Sequence, residues 1–401
     1  MSNSTVNFPN TSQFNSTEEL NIGADSMDYA AVAPLYECLT PLVPSAIVFC
    51  EGNFGKTDGK TANGLVRHSQ NYRILSVIDS HSAGLDSGEM LDNKPNGIPI
   101  VSDIIEALNH AETIPDYFIF GIAPSSGFLS DAEKAIILDA MSLNMNIVNG
   151  LHEFLNDDPI FKNASIANNV HILDIRKPKK QEDLHTFSGK IHDVSCPRVA
   201  IMGTDCALGK RTTATILAEE LRNKGLNVVM IATGQTGIMQ GAAYCVALDA
   251  VPSQFCAGEL EAVVLKAYQK ESPDIIIIEG QGALSHPAFS TSSFILRGSC
   301  PTGIILQHAP KRLYRVDFSS MPVPSISSEI NLIETFANTS VIGISLNHEG
   351  MSSEEMESEI TACTKEFDLL VTDPLTQPKQ KLVEMVLMAY PLLAQKLADS
   401  E

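Results

Sequence analysis

The chain alternates short, largely apolar runs with longer stretches in which apolar residues recur every three to four positions. The runs Ala46–Cys50, Arg73–Ile78, Tyr117–Ile122 and Asn146–Val148 read as strands buried on both faces, because a half-solvated strand would alternate with polar residues. Between them, Ser102–Ala111 and Ser130–Leu143 read as helices, and Ser130 followed by Glu133 forms a capping-box start. A further strand, His171–Ile175, runs into Arg176-Lys177-Pro178, and the polar stretch from Lys177 to Ser195 reads as a linker. The pattern then resumes with strand Arg198–Met202 and a helix over Thr212–Lys224, stopped by Gly225. Strands Asn227–Ala232, Asp274–Ile278, Gly303–Gln307 and Val341–Ser345 follow. Helices Ser352–Phe367, opened by Ser352 and Glu355, and Gln380–Leu397, bent at Pro391, complete the pattern. Strands that alternate with helices imply mostly parallel sheets, two of them in a chain this long.

Composition narrows the class. At 401 residues with 44% hydrophobic content, two globular domains are expected. No apolar run approaches the ~18–20 residues of a membrane span. Residues 1–28 carry no Lys or Arg, so no signal or transit peptide is expected and the protein is read as cytoplasmic. The net charge of −21 argues against nucleic acid or anionic membrane as a partner. The eight Cys form no Cys-x-x-Cys pair and the ten His show no metal spacing, so buried thiols and no metal site are expected.

The strongest local signal is Gly203-Thr204-Asp205-Cys206-Ala207-Leu208-Gly209-Lys210-Arg211-Thr212-Thr213, lying between a strand and a helix. Glycines let backbone N–H groups turn around phosphate oxygens, the helix N-terminus adds partial positive charge, and Lys210 adds a full one. Five residues separate the two glycines, where a Walker A loop has four. This longer form resembles dethiobiotin synthetase and its relatives. Arg211 stands where a Ser or Thr hydroxyl normally binds Mg²⁺. A guanidinium repels a metal, so passive binding of a diphosphate, such as that of coenzyme A, by Lys210, Arg211 and the loop fits better than ATP turnover. The expected architecture is α/β: a Rossmann-like domain over residues 41–190 and a P-loop NTPase-like domain over 195–401, preceded by an irregular tail, residues 1–40.

Other residues carry candidate chemistry. Glu279 ends a four-isoleucine strand, and burial there would raise its pKa toward that of a general base. His286 and His308 are alternative bases, since neutral imidazole is available near pH 7. Asp205 inside the loop would orient Lys210, a substrate ammonium or a water. Gln235, Thr236, Gly237 and Gln281 are donors that could hold a thioester carbonyl or a carboxylate. Lys56, Thr57, Lys60, Thr61 and Asn63 follow the first strand and read as a loop that binds a dicarboxylate or CoA phosphates.

Several ordered strings, taken together, resemble the D-glutamate N-acetyltransferase family, formerly a family of unknown function. They are Glu51-Gly52-Asn53-Phe54-Gly55-Lys56-Thr57-Asp58-Gly59-Lys60-Thr61-Ala62-Asn63-Gly64, Gly121-Ile122-Ala123-Pro124 and Asp174-Ile175-Arg176-Lys177-Pro178. In the second half they are the loop itself, Thr233-Gly234-Gln235-Thr236-Gly237-Ile238-Met239, and Glu279-Gly280-Gln281-Gly282 with His286-Pro287. The segment Gln240-Gly241-Ala242-Ala243-Tyr244 departs from the smaller, more apolar stretch expected there. The resemblance implies acetyl transfer from acetyl-CoA to the amine of D-glutamate or a related amino acid, without a metal. The expected partners are that small amino acid and, at most, further copies of the chain. An ATP- and Mg²⁺-dependent ligase or kinase of the dethiobiotin synthetase type, a non-catalytic CoA- or nucleotide-sensing protein and, more weakly, a nicotinamide enzyme are the rival readings.

Overall fold

The computed structural model describes residues 43–124 and 126–399; the tail expected over residues 1–40 lies outside them. Two parallel sheets organise the chain. The first contains β1 (Ser45–Phe49), β2 (Arg73–Ile78), β3 (Ile100–Val101), β4 (Tyr117–Phe120), β5 (Asn146–Asn149) and β6 (Ile172–Asp174), in the order β3-β2-β1-β4-β5-β6. This order reverses direction between β1 and β4, which places a crevice beyond the C-terminal ends of those two strands. The residues of β1 are all buried, in keeping with a strand covered on both faces.

The second sheet contains β7 (Arg198–Gly203), β8 (Val228–Ala232), β9 (Tyr244–Cys245), β10 (Ile275–Glu279), β11 (Gly303–His308), β14 (Val341–Leu346) and β15 (Val371–Thr372). Its order is β15-β14-β11-β7-β10-β8-β9, and a separate two-stranded hairpin, β12 (Tyr314–Arg315) with β13 (Phe318–Pro322), stands beside it. The four isoleucines of β10 are wholly shielded from water. Burial of one such side chain contributes about 1.5–3 kcal/mol.

Helices cover both sheets. The first domain carries α1 (Lys60–Arg67), α2 (Ser87–Asp92), α3 (Ile104–His110), α4 (Asp131–Ser142) and α5 (Pro159–Asn168). The second carries α6 (Lys210–Asn223), α7 (Gln235–Gln240), α8 (Ser253–Glu271), α9 (Thr291–Ser299), α10 (Ile326–Ala337), α11 (Ser353–Phe367), α12 (Gln380–Ala389) and α13 (Pro391–Ala398). Helix α6 lays Ala214, Leu217, Ala218 and Leu221 on the sheet, the i, i+3, i+4, i+7 stripe of an amphipathic helix. The capping boxes at Ser130 and Ser352 are both formed. The single bent helix expected over Gln380–Leu397 is two helices, because Pro391 has no N–H and starts α13 at its first position. No helix among the described residues is long and apolar enough to cross a membrane.

The segment expected as a linker is fastened down. Glu259 on α8 accepts from His185 N at 2.7 Å, and Glu261 accepts from Ser188 N at 2.6 Å and Ile191 N at 3.1 Å. Ile191 and Val194 are buried in the second core. The two domains also share apolar packing: Ile238 and Met239 of α7 belong to the core of the first domain.

Candidate active site

The loop after β7 is wired from behind. Arg312 donates to Cys206 O at 2.7 Å and Ala207 O at 3.2 Å, Asn347 to Leu208 O at 2.9 Å, and Arg315 to Thr204 O at 3.3 Å. With its carbonyls held this way, the loop keeps the backbone N–H groups of residues 205–209 without an acceptor among the described residues. Successive free N–H groups of this kind form an anion-binding nest. Ala207 (φ 49°) and Gly209 (φ 95°) adopt the left-handed conformation that folds the nest. The side chain of Lys210 is buried and donates to Asp205 O at 2.6 Å. Burial lowers its pKa from the ordinary value to about 8.

Asp205 does not face the nest. Its Oδ2 accepts from Val316 N at 2.9 Å and from Arg312 at 3.2 Å, so the carboxylate ties the loop to the hairpin. Its Oδ1 has no hydrogen-bond partner among the described residues and lies 4.0 Å from His286 Nε2 and 3.8 Å from Arg315. Asp205, Cys206 and His286 have the spacing of a metal cluster. The hydrogen bonds of His286 oppose that role: its Nδ1 accepts from Ala288 N and Phe289 N, both at 3.3 Å, so Nε2 carries the ring proton. A metal-ligating histidine donates through its other nitrogen, the reverse of what is seen. The same tautomer leaves Nε2 no lone pair, so His286 does not fit the role of base; it holds a donor toward Asp205 and Asp317, 3.8 Å away.

Glu279 ends β10 beside the loop and is buried. Desolvation raises its pKa, although Arg211 and the N–H groups of Thr233 and Gly234 pull the other way. Arg211 differs from expectation. Its guanidinium turns from the phosphate nest toward Glu279 Oε2, at 3.7 Å, while its Nε donates to Gln240 Oε1 at 2.8 Å. Gly237 is required beneath this pair: a Cβ there would lie 2.8 Å from Glu279 Oε2 and 2.9 Å from Arg211 Nη1. Thr213 is buried and donates to Gln307 Oε1 at 2.7 Å, whereas Thr212 is half-buried at the start of α6.

His308 ends β11 beside the loop. Its Nδ1 is 2.8 Å from Thr204 Oγ1, and burial, with Arg312, depresses its pKa to about 4. It lines an open cavity of about 390 Å³ with Pro310, Lys311 and Met351.

The first-domain candidates separate into two groups. Lys60, Thr61 and Asn63 belong to helix α1, where a loop was expected, because Lys60 to Arg67 supplies one buried stripe of Thr61, Ala62, Leu65 and Val66. Thr61 Oγ1 lies 3.2 Å from Thr236 Oγ1 across the domain seam, so these two hydroxyls pair with each other. Asn63 accepts from Gly55 N and donates to Lys56 O, and Lys56 donates to Gly52 O at 2.7 Å. The turn is thus braced by its own side chains, and Thr57 and Lys60 remain exposed. Lys60 is near enough to Lys210 for its charge to depress that amine. Gln235, expected to hold substrate, accepts instead from Arg176 at 2.8 Å, and Arg176 also pairs with Asp249 at 2.8 Å. Gln281 donates to the backbone carbonyl of Thr233. Both amides hold structure. The residues that sequence reasoning missed, Arg312, Arg315, Asp317 and Asn347, all come from chain beyond β11. Arg312 and Asn347 follow the ends of β11 and β14, their one sequence signal, whereas Arg315 and Asp317 belong to the hairpin.

Residues 80–178 match a family described as a domain of unknown function, DUF1611_N, with a Rossmann-like domain. Residues 185–383 match its companion, DUF1611_C, a P-loop domain. A D-glutamate N-acetyltransferase of Pseudoalteromonas sp. is 33% identical over 272 residues, 66% of this chain and 80% of the relative. One from Tritonibacter scottomollicae is 28% identical over 278 residues, 66% of this chain and 79% of the relative. The crystal structure of a DUF1611 family protein from Anabaena variabilis is 31% identical, with a TM-score of 0.79 over 86% of this chain and 99% of that one.

Proposed function

The chain belongs to the D-glutamate N-acetyltransferase (DUF1611) family, and from that premise we propose that it moves an acetyl group from acetyl-CoA to the amine of D-glutamate. Its relatives are transferases by name, and the observation that carries the finer reading is the nest at residues 205–209. Free N–H groups and a buried lysine there suit a diphosphate that is held and not cleaved.

In this reading the diphosphate of the cosubstrate lies on the nest against Lys210. The nucleotide end extends toward His308 and the cavity beside Met351, and the thioester points toward the domain crevice. Lys60 meets a carboxylate of the acceptor. The uncharged amine nitrogen attacks the thioester carbonyl carbon; the C–N bond forms, the C–S bond breaks, and the thiolate leaves with the sulfur electron pair. Glu279 takes the amine proton: its Oε2 is engaged by Thr233 N at 3.0 Å and lies 3.7 Å from Arg211. A carboxylate desolvated at this strand end is more basic than one in water, which suits the task.

A thiol-release assay tests this directly. Purified protein with acetyl-CoA and D-glutamate should release free CoA and form N-acetyl-D-glutamate, with L-glutamate a poorer acceptor. No thiol release with any D- or L-amino acid, from protein that binds acetyl-CoA, would replace the enzyme with a sensing protein. ADP formation from ATP and Mg²⁺ would replace it with a ligase.

A further inference from the structure

A P-loop normally implies Mg²⁺, held by the hydroxyl that follows the loop lysine and, directly or through water, by an acid at the end of a neighbouring strand. Here the residue after Lys210 is Arg211, and the acid is Glu279 on β10, which pairs with β7. The residues present do not fit the ion. The Arg211 guanidinium itself lies 3.7 Å from Glu279 Oε2, so the strand-end carboxylate already faces a cation. Arg211 cannot swing freely, because its Nε is fixed to Gln240 at 2.8 Å and Gly237 forms a floor that a methyl group would fill. The next buried hydroxyl, that of Thr213, is spent on Gln307 at 2.7 Å.

We infer that Arg211 takes the place of the divalent cation at the strand-end acid Glu279, so that the pocket binds a diphosphate ester without metal and discriminates against Mg·ATP. The inference rests on the reading that the nest takes the diphosphate of an acyl-CoA. A guanidinium is always charged and is carried by the first turn of α6, so its charge needs no metal to be present. The same side chain extends to the domain seam. Gln240, which holds Arg211, donates to Gly64 O at 2.7 Å and accepts from Gln70 N at 2.8 Å. The substitute cation is therefore also braced by the first domain, which a bound ion would not be.

Calorimetric titration of the full chain with CoA and, separately, with ATP, each in EDTA and in excess Mg²⁺, tests the inference. CoA affinity should agree within about twofold between the two conditions, and Mg²⁺ should not strengthen ATP binding. In Arg211→Ser a hydroxyl replaces the guanidinium and Glu279 is released, so ATP should bind at least about tenfold tighter with Mg²⁺ than in EDTA. Arg211→Lys should keep the metal-independent behaviour. A wild-type protein that needs Mg²⁺ to bind CoA, or that binds Mg·ATP more than about tenfold tighter than free ATP, overturns the inference. So does a folded Arg211→Ser variant indifferent to Mg²⁺. Where that variant does not fold, the wild-type titrations decide alone. A chain that binds no CoA in either condition would sink the acetyl-CoA reading, while the ATP titrations would still judge the role of Arg211.

Discussion

The two domains each place a Gly- and Lys-bearing turn after a central parallel strand, and the two turns are wired in opposite senses. After β7, side chains from later in the chain hold the carbonyls of the loop and leave its N–H groups free. After β1, the N–H groups of residues 52–56 are already taken. Asp79 accepts from Gly52 N at 3.0 Å and Phe54 N at 3.1 Å, and Asn63 accepts from Gly55 N at 3.0 Å. A buried carboxylate from the end of β2 thus fills the place where an anion would sit. Similar composition yields a ligand nest in one domain and a self-satisfied turn in the other. What separates them is which group of the backbone the neighbouring side chains consume.

The contrast can be broken most severely at Lys210. Lys210→Met should weaken CoA binding by about 100-fold or more, through loss of a buried charge-assisted contact, whereas Lys56→Met should change it less than about twofold. Calorimetry on both variants checks this, and equal losses would erase the distinction between the turns. Asp79→Ala should lower unfolding free energy by about 1–3 kcal/mol, since it strands the backbone donors of Gly52, Phe54 and His81, without weakening CoA binding. Gly237→Ala should cost about 1–3 kcal/mol by forcing apart Glu279 and Arg211. Urea denaturation measures both.

A pH titration sharpens the comparison. Burial holds Lys210 at about 8 in the free protein, below its unfolded value. The loop is therefore cationic below that pH and loses its charge above it. CoA affinity should be highest below about pH 8 and fall by up to about tenfold per unit above it, with protons taken up on binding. The unfolded state binds more protons between the two pKa values, so stability should rise with pH across that window. A flat affinity profile between about pH 7 and about pH 9.5 would show that Lys210 does not meet the ligand. The smallest effect is expected at the segment between the domains that α8 fastens down. Glu259→Ala frees the His185 N–H and should cost about 1–2 kcal/mol with CoA affinity unchanged.

Local pattern was enough for much of this molecule. The apolar runs marked β1, β2, β4, β5, β7, β8, β10, β11 and β14, because a strand covered on both faces leaves a contiguous hydrophobic signature. The capping boxes at Ser130 and Ser352 and the stop at Gly225 were legible because the groups that satisfy a helix end lie within a few residues of it. The phosphate loop was legible for the same reason: its glycines, Lys210 and the following helix are adjacent in sequence. Tertiary structure decided the rest. Helices α8 and α9 carry buried residues on more than one face, so their apolar stripe was obscured. Gln235, Thr61 and Gln281 are polar residues in suitable places, but each is consumed by a partner tens of residues away. Arg211 identified itself as a cation by sequence, yet only the approach of β10 and α7 shows that it answers Glu279 and not the phosphate nest. A sequence fixes which donors and acceptors a chain owns; the fold determines which of them remain unspent, and those are the ones free to bind.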